Sequence, residues 1–312
     1  MNWPDNKDFA FTIIDDTDDA TLTNIKPVYD FLSKINMKTT KTVWVYPPRD
    51  EHIGQSLQDN TYAEYIIGLD KEGFEIQLHD VGSGAFTTNE INAGFDVFKN
   101  IFGRFPSLHT NHSRNPGNIY WGYKRYGPIL NRILKLFSKK QTLFQGEEEK
   151  SLHFWGALSK EHIRYARNRD FQGINTLMFD PKMPYREKSK DKFSNYWFSC
   201  SAGNNLASFN SLISKANIDR LIQEKGCCIV YTHFGEDFAN DTDNLSKSFV
   251  DKMSYLKEQN GWFVPATEIL DHLKSQQKND WAYGFYLNFV DLIWLFNRLL
   301  YKFKSIITLN KI

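Results

Sequence analysis

Short apolar runs rich in β-branched and aromatic residues, each stopping on polar residues and separated by helix-length stretches, constrain this chain more than any other feature. Phe9–Ile14 (FAFTII) reads as a buried strand that runs directly into Asp15 and Asp16. Thr23–Ile35 follows with apolar residues at helical spacing and Pro27 near its start. The same alternation then repeats. Strands are expected at Lys41–Tyr46, Phe74–His79, Pro106–His109, Ile174–Phe179, Asn195–Ser199, Gly226–Thr232 and Trp262–Pro265. Helices are expected at Ser56–Leu69, Asn89–Phe102, Ser208–Glu224 and Leu245–Glu258. Strands alternating with crossover helices imply an α/β chain with a parallel sheet. The expected closure is a distorted (β/α) barrel of about seven strands, with an open doubly wound sheet as the alternative.

Two regions depart from this rhythm. Tyr120–Lys150 holds a basic amphipathic stretch, YKRYGPILNRILKLFSKK, followed by the acidic GEEEK, and reads as an insertion above the barrel, either a lid or a surface helix. Residues 1–275 are thus expected to form the barrel with its insertion at about 120–150, and 276–312 an amphipathic, aromatic-rich tail. Within the tail, Tyr283–Phe296 is almost continuously apolar, broken by Asn288 and Asp291, before the basic Arg298, Lys302 and Lys304. That make-up suits a helix lying in a membrane interface, or one packed on the barrel or on a second copy of the chain.

Lys+Arg number 38 against Asp+Glu 37, which excludes a nucleic-acid binder relying on bulk positive charge. Three cysteines, two of them adjacent, make a poor disulfide framework. With no secretory pattern in MNWPDNKDFAF, the expected location is cytoplasmic, with a peripheral position at the inner face of the membrane if the tail binds lipid.

Parallel strands present their reactive groups at their C-terminal ends. Asp15 and Asp16 stand at the first such end, with Asp18 and Asp19 just beyond; His79 and Asp80 end the third strand. His109 and His112 follow the fourth, and His233 ends a late one. Carboxylates with imidazoles are the ligand set of a catalytic divalent ion, zinc first among the candidates, that keeps one position open for water. Asp15, Asp16, His79, His109, His112 and His233 are therefore expected around one ion.

These same segments resemble the polysaccharide deacetylases of carbohydrate esterase family four. FTIIDDTDD looks like that family's first motif, EGFEIQLHD its second, and FGRFPSLHTNH falls where its third lies; CIVYTHF and NGWFVPATEILDHL are similar to its closing elements. The resemblance spans about residues 8–275. It is nearest to a divergent branch associated with lipopolysaccharide O-antigen gene clusters, an impression strengthened by HFWGALSKEHIRYARN and NYWFSCSAGN. It implies that Asp15 is the general base, Asp16 and His79 bind the metal, and His233 is the general acid. Ser83 stands where the family has a second metal histidine, so His109 or His112 is expected to supply the third ligand. The family's base-orienting arginine has no counterpart at the matching point, leaving Arg114 as the candidate, and Thr17 replaces a glycine. Trp197, with Tyr196, is a candidate to line a sugar cleft, and Asp180 to steer His233.

The function implied is metal-dependent deacetylation of an N-acetylated sugar, free or lipid-linked, in surface polysaccharide synthesis. A hydrolase of another amide or ester on the same fold, and a non-catalytic glycan binder, are the alternatives.

Overall fold

The computed structural model describes residues 2–137, 143–239 and 245–309, with the side chains of 304–309 excepted. Lys139 and Lys140 of the insertion, and the Lys304 side chain of the tail, lie outside the described residues.

Ten strands are described: β1 (Phe9–Asp15), β2 (Thr40–Val43), β3 (Glu75–Leu78), β4 (Leu108–His109), β5 (Tyr165–Phe171), β6 (Arg186–Glu187), β7 (Tyr196–Ala202), β8 (Cys227–Thr232), β9 (Gly261–Phe263) and β10 (Trp281–Ala282). The helices are α1 (Leu22–Lys34), α2 (Asn60–Lys71), α3 (Thr88–Phe102), α4 (Pro128–Phe137), α5 (Gly156–His162), α6 (Thr176–Phe179), α7 (Leu206–Leu212), α8 (Lys215–Gln223), α9 (Lys247–Glu258), α10 (Ala266–Ser275) and α11 (Gly284–Leu309). Strands β2, β3, β4, β5, β7, β8 and β1 pair side by side, all parallel, and β1 returns to β2 to close a seven-stranded barrel. β6 and β10 form a separate small ribbon.

The distortion has a visible seam. Only Ile14 and Asp15 of β1 pair with β2, because β9 occupies the same strand's beginning, from Phe9 to Phe11. β1 is buried over its whole length. Phe9, Phe11 and Ile13 face one apolar cluster with α1, α2, α3 and α9, whereas Ala10 and Ile14 face another with Trp197, Cys200 and Ile229. That is the two-sided burial of a parallel strand, and it explains the unbroken apolar run.

Two expectations are corrected. Ile174–Phe179 is not a strand: its last four residues form the short helix α6. The missing barrel strand is β5, whose sequence YARNRDF carries two arginines and so shows no apolar run. Both guanidiniums are buried and paired, Arg167 with Asp16 and Arg169 with Asp291. The expected helix Ser208–Glu224 is two helices, because the Ser214 hydroxyl accepts from the Asn217 amide and caps a new start.

The first half of α11 packs against the barrel. Asp291 is buried on it, taking Nε and Nη2 of Arg169 at 2.8 and 2.6 Å and the Gly127 amide at 2.6 Å. Asn288 Oδ1 accepts from the Ile129 amide, so the insertion's helix α4 and the tail are joined.

Candidate metal and active site

The carboxyl ends of β1, β3, β4, β5 and β8 surround a cavity of about 220 Å³ whose wall includes Asp16, Asp18, His79, Arg125, Arg167 and His233. The chain leaves β1 through a turn fixed by the Asp16 amide on the Thr232 carbonyl at 2.8 Å. Past it lies the loop after His233. A Cβ on Gly235 would come within 2.5 Å of the Asp19 carbonyl carbon, so glycine is what lets the His233 loop lie against the Asp18 loop.

Three ligand atoms, one each from Asp18, His79 and His112, lie within 4.8 Å of one another. The hydrogen bonds behind them fix the tautomers. His79 Nδ1 lies 3.0 Å from the Thr110 carbonyl, which can only accept, so Nδ1 carries the proton and Nε2 presents a lone pair. His112 Nδ1 lies 3.2 Å from Asn115 Oδ1, while that amide's nitrogen donates to Asp80 and to the Gly82 carbonyl; again Nε2 is left bare. Asp18 Oδ1 stands 3.0 Å from His112 Nε2 and 3.5 Å from His79 Nε2. Both Asp18 Oδ1 and His112 Nε2 are buried without a hydrogen-bond partner. Facing lone pairs at that separation demand positive charge between them. Two imidazole nitrogens and one carboxylate oxygen fit a divalent ion with an open position.

The electrostatics say the same thing. Burial opposes ionisation of Asp18, but His79, His112 and His233 outweigh it and hold its carboxyl well below the usual carboxylate range. Burial also opposes a proton on His112 and on His233, yet Asp18 raises both, with Glu236 adding to the effect on His233. His233 Nδ1 donates to the Asn204 carbonyl at 2.6 Å, which leaves Nε2 directed at Asp18 Oδ2, 3.3 Å away.

Asp16 holds a different position. Arg167 grips it with two hydrogen bonds, Nη1 to Oδ1 at 3.1 Å and Nη2 to Oδ2 at 2.5 Å, and Thr110 Oγ1 donates to Oδ1 at 3.3 Å. Burial would raise its pKa; Arg167, His79 and His233 overcome that and lower it. Asp15 does not reach the cavity. It is fully buried, 2.9 Å from Lys41 Nζ, and accepts from Tyr29 Oη and the Phe234 amide at 2.8 Å each. Lys41 is equally buried; burial disfavours its ammonium, and Asp15 more than compensates.

The other expected residues separate. His109 stays outside the cluster: Nε2 faces Asn111 Oδ1 and Asp80 Oδ1 at 3.2 and 3.3 Å, its ring meets Trp155 edge-on, and burial pushes its pKa down. Arg114 sits outside the cavity, exposed, paired with Glu51 at 2.5 Å. Trp197 is wholly buried in the core and cannot line a cleft. Asp180 is bound to Ser199 and Tyr286, not His233. Ser83, at the family's second histidine position, hydrogen-bonds Asp50 and His52, and the His52 ring packs on His112 at 4.6 Å. The sequence reading therefore missed Asp18 and Arg167. Asp18 lay two residues past the aspartate pair, and Arg167 lay inside HFWGALSKEHIRYARN, where nothing local marked it as facing β1.

No family model matches the chain, and no curated protein matches it in sequence. Among solved structures, a protein described as a polysaccharide deacetylase from Mycobacterium smegmatis superimposes with a TM-score of 0.54 at 12% identity, over 91% of this chain and 96% of that one. At that identity the likeness is one of fold. A family 4 acetyl xylan esterase from Clostridium thermocellum, solved with a cobalt ion, gives 0.42 at 14% over 87% and 94%. The peptidoglycan deacetylase PdaC from Bacillus subtilis gives 0.41 at 15% over 87% and 93%.

Proposed function

We propose that this chain is a metal-dependent hydrolase that deacetylates an N-acetylated sugar of a surface polysaccharide of O-antigen type, or of its lipid-linked precursor. The observation that carries the reading is the convergence of bare ligand atoms from Asp18, His79 and His112 beside an arginine-bound carboxylate and a cavity-facing histidine. Asp18, His79 and His112 would hold the ion, most suitably zinc. Such an ion supplies a polarised carbonyl and a water of lowered pKa.

The family resemblance assigns the base to the first aspartate of a pair and the metal to the second. Here that pair of roles is assigned to Asp16 and Asp18 in place of Asp15 and Asp16. Arg167 keeps Asp16 ionised, so that it can accept the proton of an attacking water. Thr110 and Arg167 fix the carboxylate's plane. His233, with its Nδ1 proton committed to Asn204, gives a proton from Nε2 to the departing nitrogen, and the products are acetate and the free amino sugar. Arg125, lying on the face of Trp121 at 4.0 Å, forms a platform in the same wall on which a sugar ring can rest. Cys200, Cys227 and Cys228 are buried free thiols, which supports a reducing compartment such as the cytoplasm.

The test is acetate release by zinc-loaded protein from a panel of N-acetylated sugars and lipid-linked glycans, beside Asp16→Asn and His233→Ala. Acetate from at least one substrate, lost in both variants, supports the reading. Metal-loaded protein that releases none from any of them sinks it in favour of glycan binding without catalysis.

A further inference from the structure

Helix α11 is apolar on two opposite faces. Leu287, Val290 and Asp291 point inward, Val290 and Asp291 buried beneath the helix and Asp291 held by Arg169. The outward face repeats at helical spacing through Phe285, Phe289, Leu292, Phe296, Leu299 and Phe303, and all are exposed, Phe285 to 89% and Leu292 to 65%. Helix α4 adds Ile129, Ile133, Leu136 and Phe137 at positions one and two turns apart, the last two each 83% exposed. The helices are clamped together. Asn288 takes the Ile129 amide, Asp291 takes the Gly127 amide, and the Tyr126 and Trp294 rings meet at 5.1 Å. A Cβ on Gly127 would come within 2.8 Å of Leu287 Cβ, so this contact is as close as the backbone allows. An amphipathic insertion and an amphipathic tail, distant in sequence, thus form one surface.

Such a patch is far beyond the scattered apolar residues of an ordinary surface. On α4 the charged residues have one sign: it carries Arg132 and Lys135 and no acid. On α11 the single acid, Asp291, is buried against Arg169, and Arg298 is turned inward and paired with Asp170. A second copy of the chain would bring the same basic residues against these. No helix among the described residues is long and apolar enough to cross a membrane. We infer that α4 and α11 together dock the protein on the surface of an anionic lipid bilayer, with the phenyl and leucyl side chains among the acyl chains and the basic residues at the headgroups. This docking is independent of the reading of the cavity, since it asks nothing of Asp16, Asp18 or the histidines.

The experiment is co-sedimentation of the full chain with phosphatidylcholine vesicles prepared with and without phosphatidylglycerol. The variants are Phe289→Asp with Phe296→Asp, Ile133→Asp with Phe137→Asp, and Arg132→Glu with Lys135→Glu. Circular dichroism and thermal melting would establish that each remains folded. Wild type is expected to pellet with the anionic vesicles and much less with the neutral ones. Each apolar pair should abolish most binding, the α4 pair as well as the α11 pair. Removing a basic residue should weaken it about five-fold, more on reversal of charge. Binding to neither vesicle, equal binding to both, or indifference to the α4 pair overturns the inference. So does sedimentation equilibrium showing a dimer that these substitutions dissolve, which would assign the face to a second copy of the chain.

Discussion

Asp15 and Asp18 leave the same strand end, yet one is enclosed by the protein and the other is left open by it. Below the barrel mouth, Asp15 meets an ammonium, a phenol and a backbone amide, all supplied by the chain and all shut away from the cavity. Above it, Asp18 faces three imidazole nitrogens and no hydrogen-bond donor fixed by the fold for its Oδ1. Asp16, between them, is half of each kind: its charge is balanced by Arg167, but it lines the cavity. What separates a carboxylate that holds the barrel together from one available for chemistry is which partners the fold supplies, and adjacent positions can differ completely.

This contrast can be broken most easily at Asp16. Asp16→Asn should lower acetate release by about 10²–10⁴-fold, the range for loss of a general base, as read by kcat/KM on the best substrate of the panel. An Asp16→Asn enzyme of near-normal rate would mean the base is elsewhere. At Asp15 the effect should fall on stability instead. Asp15→Ala strands the Lys41 ammonium in a fully buried site, at a cost of about 3–5 kcal/mol, and calorimetry should show a fall in Tm on the order of 10 °C. If Asp15→Ala melted like wild type but had lost its activity, the two regions would have to exchange roles.

A smaller effect is expected at Thr110. Thr110→Val removes the hydroxyl shared between His79 Nδ1 and Asp16 Oδ1, and zinc affinity by competition with a chelating dye should weaken about 10–100-fold with the fold intact. The smallest is Arg114→Ala. Its side chain is exposed and paired only with Glu51, so kcat/KM should stay within about two-fold and stability within about 1 kcal/mol of wild type. A large loss of turnover in that variant would return Arg114 to the site.

The barrel was legible because most of its strands are apolar on both faces, and apolar runs are what a sequence displays most plainly. β5 was hidden for the opposite reason: its arginines are buried against Asp16 and Asp291, partners far away in the sequence, and a buried ion pair looks like surface until both halves are seen. His79, His112 and His233 were placed at strand ends by the same pattern that gave the fold. His109 and His112 could not be told apart from spacing, since what divides them is Asp80, which faces the His109 ring with one oxygen and the His112 amide with the other. That Asp16 and Asp18, and not Asp15, line the cavity was likewise invisible, because it depends on where β1 ends against β2 and β8 and not on any residue type. The insertion and the tail were each read as amphipathic, but only the fold joins them into one face.

Whether Asp18, His79 and His112 hold an ion is decided by metal content from plasma mass spectrometry, on wild-type protein beside Asp16→Asn, Asp18→Asn, His79→Ala, His109→Ala and His112→Ala, each reconstituted with zinc and dialysed. Near-stoichiometric zinc is expected in wild type, Asp16→Asn and His109→Ala, and its loss in Asp18→Asn, His79→Ala and His112→Ala. Zinc retained by Asp18→Asn but lost from Asp16→Asn, or no zinc in any of them, would contradict that ligand set.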